Sequence, residues 1–277
     1  MISYFDLLAY FNEWMRNRFL TKNLYWFKKY KGIKWIKGQN FGDYLSCIVV
    51  AETARKLGLK KINLPEEQRF LAIGSVLHSA QDGDIIWGSG INGKIAINRH
   101  TFSKLDVRMV RGPKTKNFLE KKGIKVCNVF GDPALLLPIL LPDYKRKSKL
   151  GKITILPNLN EIELVKKRKP KFMHMVSPLK HWKKILYEII TSELVLTSSL
   201  HGIVLAEAFK VPVRFVMPMG GETLFKYQDY YLGTGRSLED QPSSFYDRIT
   251  LKSGIAMPPP KFYPERMLAT FPKDIFI

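Results

Sequence analysis

Leu194-Val195-Leu196-Thr197-Ser198-Ser199-Leu200-His201-Gly202-Ile203-Val204-Leu205-Ala206-Glu207-Ala208-Phe209 changes character twice. Leu194 to Thr197 is apolar and has the length of a buried strand. Ile203 to Phe209 reads as a helix, and Ser198 to Gly202 is the turn between them. A strand that feeds directly into a helix is the repeating unit of a parallel sheet covered on both faces. The turn then lies at the carboxyl end of the strand, where such sheets bind ligands.

The same alternation extends outward. Val213 to Val216 is the next strand. Upstream lie a helix at Trp182 to Ile190 and strands at Phe172 to Val176 and Ile153 to Leu156. Asp143 to Lys152 is polar and basic, the composition of a linker. Before it the pattern runs from Leu24 to Phe27, through a helix that follows Asn40-Phe41-Gly42-Asp43 and stops at Gly58. Strands at Phe70 to Ile73, Ile85 to Trp87 and Val107 to Val110 come next, then a helix with Pro113 in its first turn and Gly123 after its end. Lys125 to Val129 and Gly131-Asp132-Pro133 complete this half. The expected fold is α/β, two Rossmann-like domains facing each other, with an aromatic C-terminal segment packing back on the first. The boundaries read as a helix in 1–21, domains in 22–145 and 146–236, and a tail in 237–277.

The chain has 277 residues, 45% of them hydrophobic, enough for a sizeable core. No apolar run approaches the ~20 residues of a membrane-spanning helix. The N-terminus lacks the pattern of a secretory signal, so a cytoplasmic protein is expected. Cys47 and Cys127 sit in apolar surroundings and read as buried free thiols. Forty-five Lys and Arg against 24 Asp and Glu give +21, a balance that favours anionic partners. No nucleic-acid motif accompanies the basic, aromatic stretch Tyr25 to Lys37, and nucleic acid is not expected. Phe5, Leu8, Phe11, Met15 and Phe19 recur at helical spacing in 1–21, with Trp14, Arg16 and Arg18 alongside. That helix suits either an anionic membrane surface or packing on the body.

His201 is the foremost candidate for chemistry. At a helix start it sits among unpaired backbone N–H groups that attract anions, and it can exchange a proton near neutral pH. Ser198 and Ser199 read as phosphate ligands or as helix caps. Asp43 reads as a base or as an N-cap, and Gly42 lets the backbone approach a ligand closely. Arg111 reads as a planar clamp for a carboxylate or phosphate, or as a surface ion pair. Gly88-Ser89-Gly90 permits close approach to an anion. The histidines at 78, 100, 174 and 181 form no ligand spacing with Cys, Asp or Glu, so no metal site is expected.

In this order and spacing the landmarks resemble those of the polysaccharide pyruvyltransferases, especially the bacterial exopolysaccharide type. They are Asn40-Phe41-Gly42-Asp43, Ile73-Gly74-Ser75-Val76-Leu77, Trp87-Gly88-Ser89-Gly90 and Val110-Arg111-Gly112-Pro113. Phe130-Gly131-Asp132-Pro133-Ala134-Leu135-Leu136-Leu137-Pro138 and Ser198 to Ala208 complete the set. The resemblance runs from about Leu24 to the C-terminus and leaves the first helix outside. It implies the two-domain architecture of one large class of glycosyltransferases, the GT-B type. It implies phosphoenolpyruvate as donor, no cofactor, and a surface-glycan sugar as acceptor, whether free, lipid-linked or nucleotide-linked. The product is a pyruvate ketal, with release of phosphate. His201 is the expected catalytic residue, with Arg111 and Asp43 beside it and Asn40, Gly42, Gly202 and the glycine turn at 88–90 around the substrate.

Two positions depart from the pattern. Ser199 stands where some members carry an arginine, so the positive charge must come from elsewhere, with Lys226 and Arg236 as candidates. Asn158 stands where many relatives have histidine; it can hydrogen-bond but not titrate. Two other functions remain open on the sequence. One is a glycosyltransferase using a nucleotide sugar, with a basic residue and a glutamate such as Glu207 in the second half. The other is a non-catalytic module binding anions or a membrane.

Overall fold

The computed structural model describes residues 4–25, 40–219, 221–238 and 259–277. The lysine-rich stretch at 28–37 lies outside them. Helix α1 (Tyr4–Asn17) is followed by β1 (Leu24–Tyr25), α2 (Phe41–Lys56), β2 (Phe70–Leu71), β3 (Ile85–Trp87), β4 (Asp106–Met109), α3 (Pro113–Lys121) and α4 (Leu137–Leu140). Strands β1-β2-β3-β4 pair in that order, all parallel. Beyond Asp143–Lys152 come β5 (Ile153–Leu156), α5 (Ile162–Arg168), β6 (His174–Met175), α6 (Trp182–Ile190), β7 (Leu194–Thr197), α7 (Leu200–Ala208), β8 (Val213–Phe215) and α8 (Phe225–Gly233). Their sheet has the order β6-β5-β7-β8, again all parallel. The chain is thus α/β with two parallel sheets.

Burial explains the apolar runs. Every residue of β5 and β7 is buried, because helices cover both faces of the sheet. Two helices are apolar on nearly every side. In α7 only Glu207 escapes full burial, and in α2 the buried residues run from Phe41 to Ala51 with Thr53 and Ala54. A helix of this kind has neighbours all round. Helix α7 packs on β7 and β8, and also on the short 3-10 turn Pro133–Leu136 of the first half. Helix α2 packs on that turn, on α4 and on α6. One hydrophobic cluster therefore runs from Phe41, Leu45 and Ile48 to Ile185, Ile189 and Ile203, joining the two halves. Each such side chain contributes about 1.5–3 kcal/mol by leaving water.

Several boundaries differ from expectation. Helix α7 begins at Leu200, three residues early, because Ser199 is the extended N-cap residue (φ −87°, ψ 127°). His201 and Gly202 therefore belong to its first turn. Strand β6 is reduced to His174–Met175, and Phe172 is exposed. The segment from Lys125 makes only an isolated parallel bridge, Val110 with Phe130. Cys47 is buried, but Cys127 is exposed, its thiol donating to Arg108 O at 2.9 Å. Gly58 (φ +73°) and Gly123 (φ +77°) follow α2 and α3 as expected.

The C-terminal segment rests on the first sheet. Helix α9 (Pro264–Ala269) supplies Met267 O to Trp87 Nε1 at 3.2 Å. The Phe271 ring meets Trp87 edge-on at 4.9 Å, and Phe276 bridges Ile62. Helix α1 also packs inward. Tyr10 is buried against Tyr44 and His181, and Glu13 accepts from Trp182 Nε1 at 2.8 Å. No helix among the described residues is long and apolar enough to cross a membrane.

Candidate active site

The carboxyl ends of both sheets open onto a shared cavity of about 300 Å³. The first half lines it with Asn40, Asp43, Ser75, His78, Asn92 and Lys94. The second contributes Asn158, Asn160, Ser199, His201, Glu222 and Lys226.

His201 is held from the first half. Its ring packs edge-on to Phe41 at 6.5 Å, and Nε2 lies 3.5 Å from Asp132 Oδ2. The ring also fills the space above Gly42. A Cβ on Gly42 would lie 2.1 Å from His201 Nδ1. Gly42 lies in the first turn of α2, so its missing side chain makes room for the imidazole rather than for a ligand. The ring of His78 also lines the cavity. His78 Nδ1 and His201 Nε2 have no hydrogen-bond partner among the described residues. Burial, with His100 nearby, pushes His78 below the ordinary histidine value.

Asp43 lies one turn into α2. Asn40 Nδ2 donates to its Oδ2 at 2.6 Å. Burial raises the Asp43 pKa above the usual carboxylate range, against the opposing pull of His201, Asn40 and Lys226. Asn40, not Asp43, is the N-cap residue.

The first turn of α7 presents backbone N–H groups that have no partner within the helix. Ser199 makes no side-chain cap bond. Ser198 is turned inward: its hydroxyl donates to Glu161 and accepts from Asn158 N at 2.8 Å. Tyr227 OH donates to Ser198 O at 2.6 Å. Asn158 is placed by that contact and by accepting from Asn160 N at 3.3 Å. At Gly202 a Cβ would lie 2.3 Å from Thr197 Oγ1, so glycine serves close strand–helix packing.

Of the two candidates for the charge missing at Ser199, the cavity wall holds one. Lys226 lines the cavity, bonded to Glu222 at 2.6 Å. Burial lowers the Lys226 pKa, and the pair with Glu222 opposes that shift. Lys94, from the first half, binds the same glutamate. Two lysines thus meet one carboxylate at this part of the wall, with Asp43 the second carboxylate lining the cavity. Arg236 does not line it. Its guanidinium pairs with Glu207 (Nη2–Oε2, 2.8 Å) and lies over the Tyr231 ring. Glu207 also accepts from Tyr230 OH at 2.6 Å, so its side chain, 5% exposed, is engaged away from the cavity.

Arg111 is likewise held inside the protein. It is buried and paired with Asp229 of α8 at 3.0 Å; Nη1 donates to Ser75 Oγ at 2.6 Å and Nη2 to Ile91 O at 2.7 Å. Each of Nε, Nη1 and Nη2 has a partner inside the protein, which turns the guanidinium fork away from a clamp on a cavity anion. Arg111 touches the cavity only through Ser75. The turn at 88–90 is internal for related reasons. A Cβ on Gly88 (φ +95°) would strike Pro133, and one on Gly90 would strike the Arg111 guanidinium. Ser89 Oγ donates to Gly74 O at 3.0 Å. Asp132, His78, Lys94, Asn92 and Glu222 carry no assigned role in the sequence reading. Asp132 alone had a signal there, its place in the Gly-Asp-Pro landmark.

A sequence profile described as polysaccharide pyruvyl transferase matches residues 8–218. The chain belongs to the polysaccharide pyruvyl transferase family. The match begins inside α1 and ends before α8, so the helix falls within the family region and the C-terminal segment outside it. One relative is the succinoglycan biosynthesis protein ExoV of Rhizobium meliloti (strain 1021), 26% identical over 173 residues. That alignment covers 59% of this chain and 53% of ExoV, so the chain spans about half the length of this relative. No solved structure matches.

Proposed function

We propose that the chain transfers the pyruvyl group of phosphoenolpyruvate to two hydroxyls of a sugar in a surface polysaccharide or its precursor. The observation that carries this reading is His201 in the first turn of α7, beside the buried carboxylate Asp43, in a cavity edged by Lys94 and Lys226. The donor carries a carboxylate and a phosphate. Backbone N–H groups at the helix start, the Ser199 hydroxyl and the two lysines supply the donors and charge it needs.

His201, protonated, gives its proton to the methylene carbon of the enol. The adjacent carbon becomes cation-like, and the first sugar hydroxyl adds to it, releasing a proton to Asp43 or to His201. The carbon–oxygen bond to phosphate breaks and the second hydroxyl closes the ketal. Of the two hydroxyl protons, one restores His201 and the other leaves with phosphate. Asp43 suits the role of base because burial holds its carboxyl above the ordinary range. Asp132 orients the imidazole. Arg111 is a positioning residue that fixes Ser75 and ties α8 to the first half.

The glycosyltransferase alternative has less support, because Glu207 is committed to Arg236 and Tyr230. Incubating the protein with phosphoenolpyruvate or with nucleotide sugars, across a panel of sugar acceptors, tests the choice. Acceptor-dependent phosphate release is expected. Consumption of a nucleotide sugar alone would overturn the proposal.

A further inference from the structure

The inner face of α1 is committed to the protein body, but its outer face is not. Leu8, Phe11, Trp14, Met15 and Phe19 are each between 38 and 53% exposed. Within the helix the first four recur at three- and four-residue steps, which sets them on one side, and Phe19 lies in the turn that follows. Phe11 and Trp14 form a ring pair at 6.1 Å, and the Arg18 guanidinium caps the Phe19 ring at 4.6 Å. A contiguous exposed patch of large apolar side chains marks an interaction surface.

The charges around the patch decide its partner. Arg16, Arg18 and Lys22 are exposed on the same segment. Phe19 O accepts from Ile62 N at 2.9 Å, which brings the exposed Lys60 and Lys61 beside the aromatic end. The nearby Glu13 is turned inward onto Trp182, and Glu52 is paired with Arg16 and Arg55. An apolar stripe with aromatic residues and a basic rim matches the interface of an anionic bilayer, with rings among the acyl chains and cations among the headgroups. We infer that α1 and the turn after it dock this protein on an anionic membrane surface, lying in the plane of the interface.

Sedimentation of the full chain with vesicles tests this. Binding is expected to phosphatidylcholine vesicles containing phosphatidylglycerol, to be much weaker to phosphatidylcholine alone, and to fall with added salt. Phe11→Ser with Trp14→Ser should weaken binding by at least roughly tenfold, from lost apolar contact. Arg18→Gln should weaken it roughly fivefold, the equivalent of ~1 kcal/mol per basic residue. The thermal midpoint of each variant should match the parent, because these side chains point outward. Three results would overturn the inference: no binding by the parent chain, unchanged binding by the double variant, or a dimer that the double variant converts to monomer. The last would make the patch a contact between two copies.

Discussion

Gly42 and His201 touch across the two halves, so a single methyl group tests their relationship. Gly42→Ala would place a carbon where the imidazole now sits. Displacing a catalytic group by about 1 Å costs on the order of 100-fold in turnover. The variant should fold and lose activity by about that factor, measured as phosphate release. Asp43 offers the opposite pairing of effects. Its pKa in the folded protein is raised by burial, so the unfolded chain ionises first as pH rises. Through that window, just above the ordinary carboxylate range, the folded state holds more protons and stability falls with pH. Asp43→Asn removes that penalty. It should raise the thermal midpoint at neutral pH and flatten its dependence on pH, while turnover drops steeply. Lys226 and Arg236 separate binding from architecture. Lys226→Met should raise KM for the donor with little change in the midpoint. Arg236→Met leaves Glu207 buried without its cation and should cost about 3–5 kcal/mol of stability. These pairings also show what could be read in advance. His201, Asp43, Asn40, Asn158 and Ser199 lie at helix starts, and that position was legible. Arg111, Glu207 and Arg236 show their charge in the sequence but hide their partners. Asp229 lies 118 residues from Arg111, and Arg236 lies 29 from Glu207. A charge reads as free until packing supplies its counter-ion.

At the level of elements, the strand-to-helix alternation was legible because parallel strands buried on both faces are short apolar runs. The early start of α7 was not legible, since Ser199-Leu200-His201 is equally good as turn or first helical turn. The apolar all-round character of α2 and α7 has a cause beyond their own sheets, because each packs against the other half. Helix α8 is tied to the first half by a buried ion pair. Its Asp229 accepts from Arg111, from Thr115 N at 3.0 Å and from Thr115 Oγ1 at 2.6 Å. Arg111→Ala would strand that carboxylate and should cost about 3–5 kcal/mol by denaturant unfolding. Arg111→Lys should recover only part, because one ammonium cannot reproduce the fork that reaches Asp229, Ser75 and Ile91 together.

For the whole molecule, the cavity belongs to neither half alone. His201 and Lys226 come from the second half, Asp43 and Lys94 from the first, and Asp132 of the first half backs His201. Lys94 and Glu222 carried no signal in the sequence, because their meeting is a product of tertiary packing across 128 positions. The basic rim of α1 carries part of the +21 balance, while Lys94 and Lys226 in the cavity stand against Glu222 and Asp43. The central claim is that His201 supplies the proton that starts pyruvyl transfer. The most direct measurement is phosphate release from phosphoenolpyruvate by the parent chain and by His201→Ala, with an accepting sugar and matched thermal midpoints. A loss of about 10²–10⁴-fold is expected in the variant. Phosphate release by His201→Ala at close to the parent rate would contradict it.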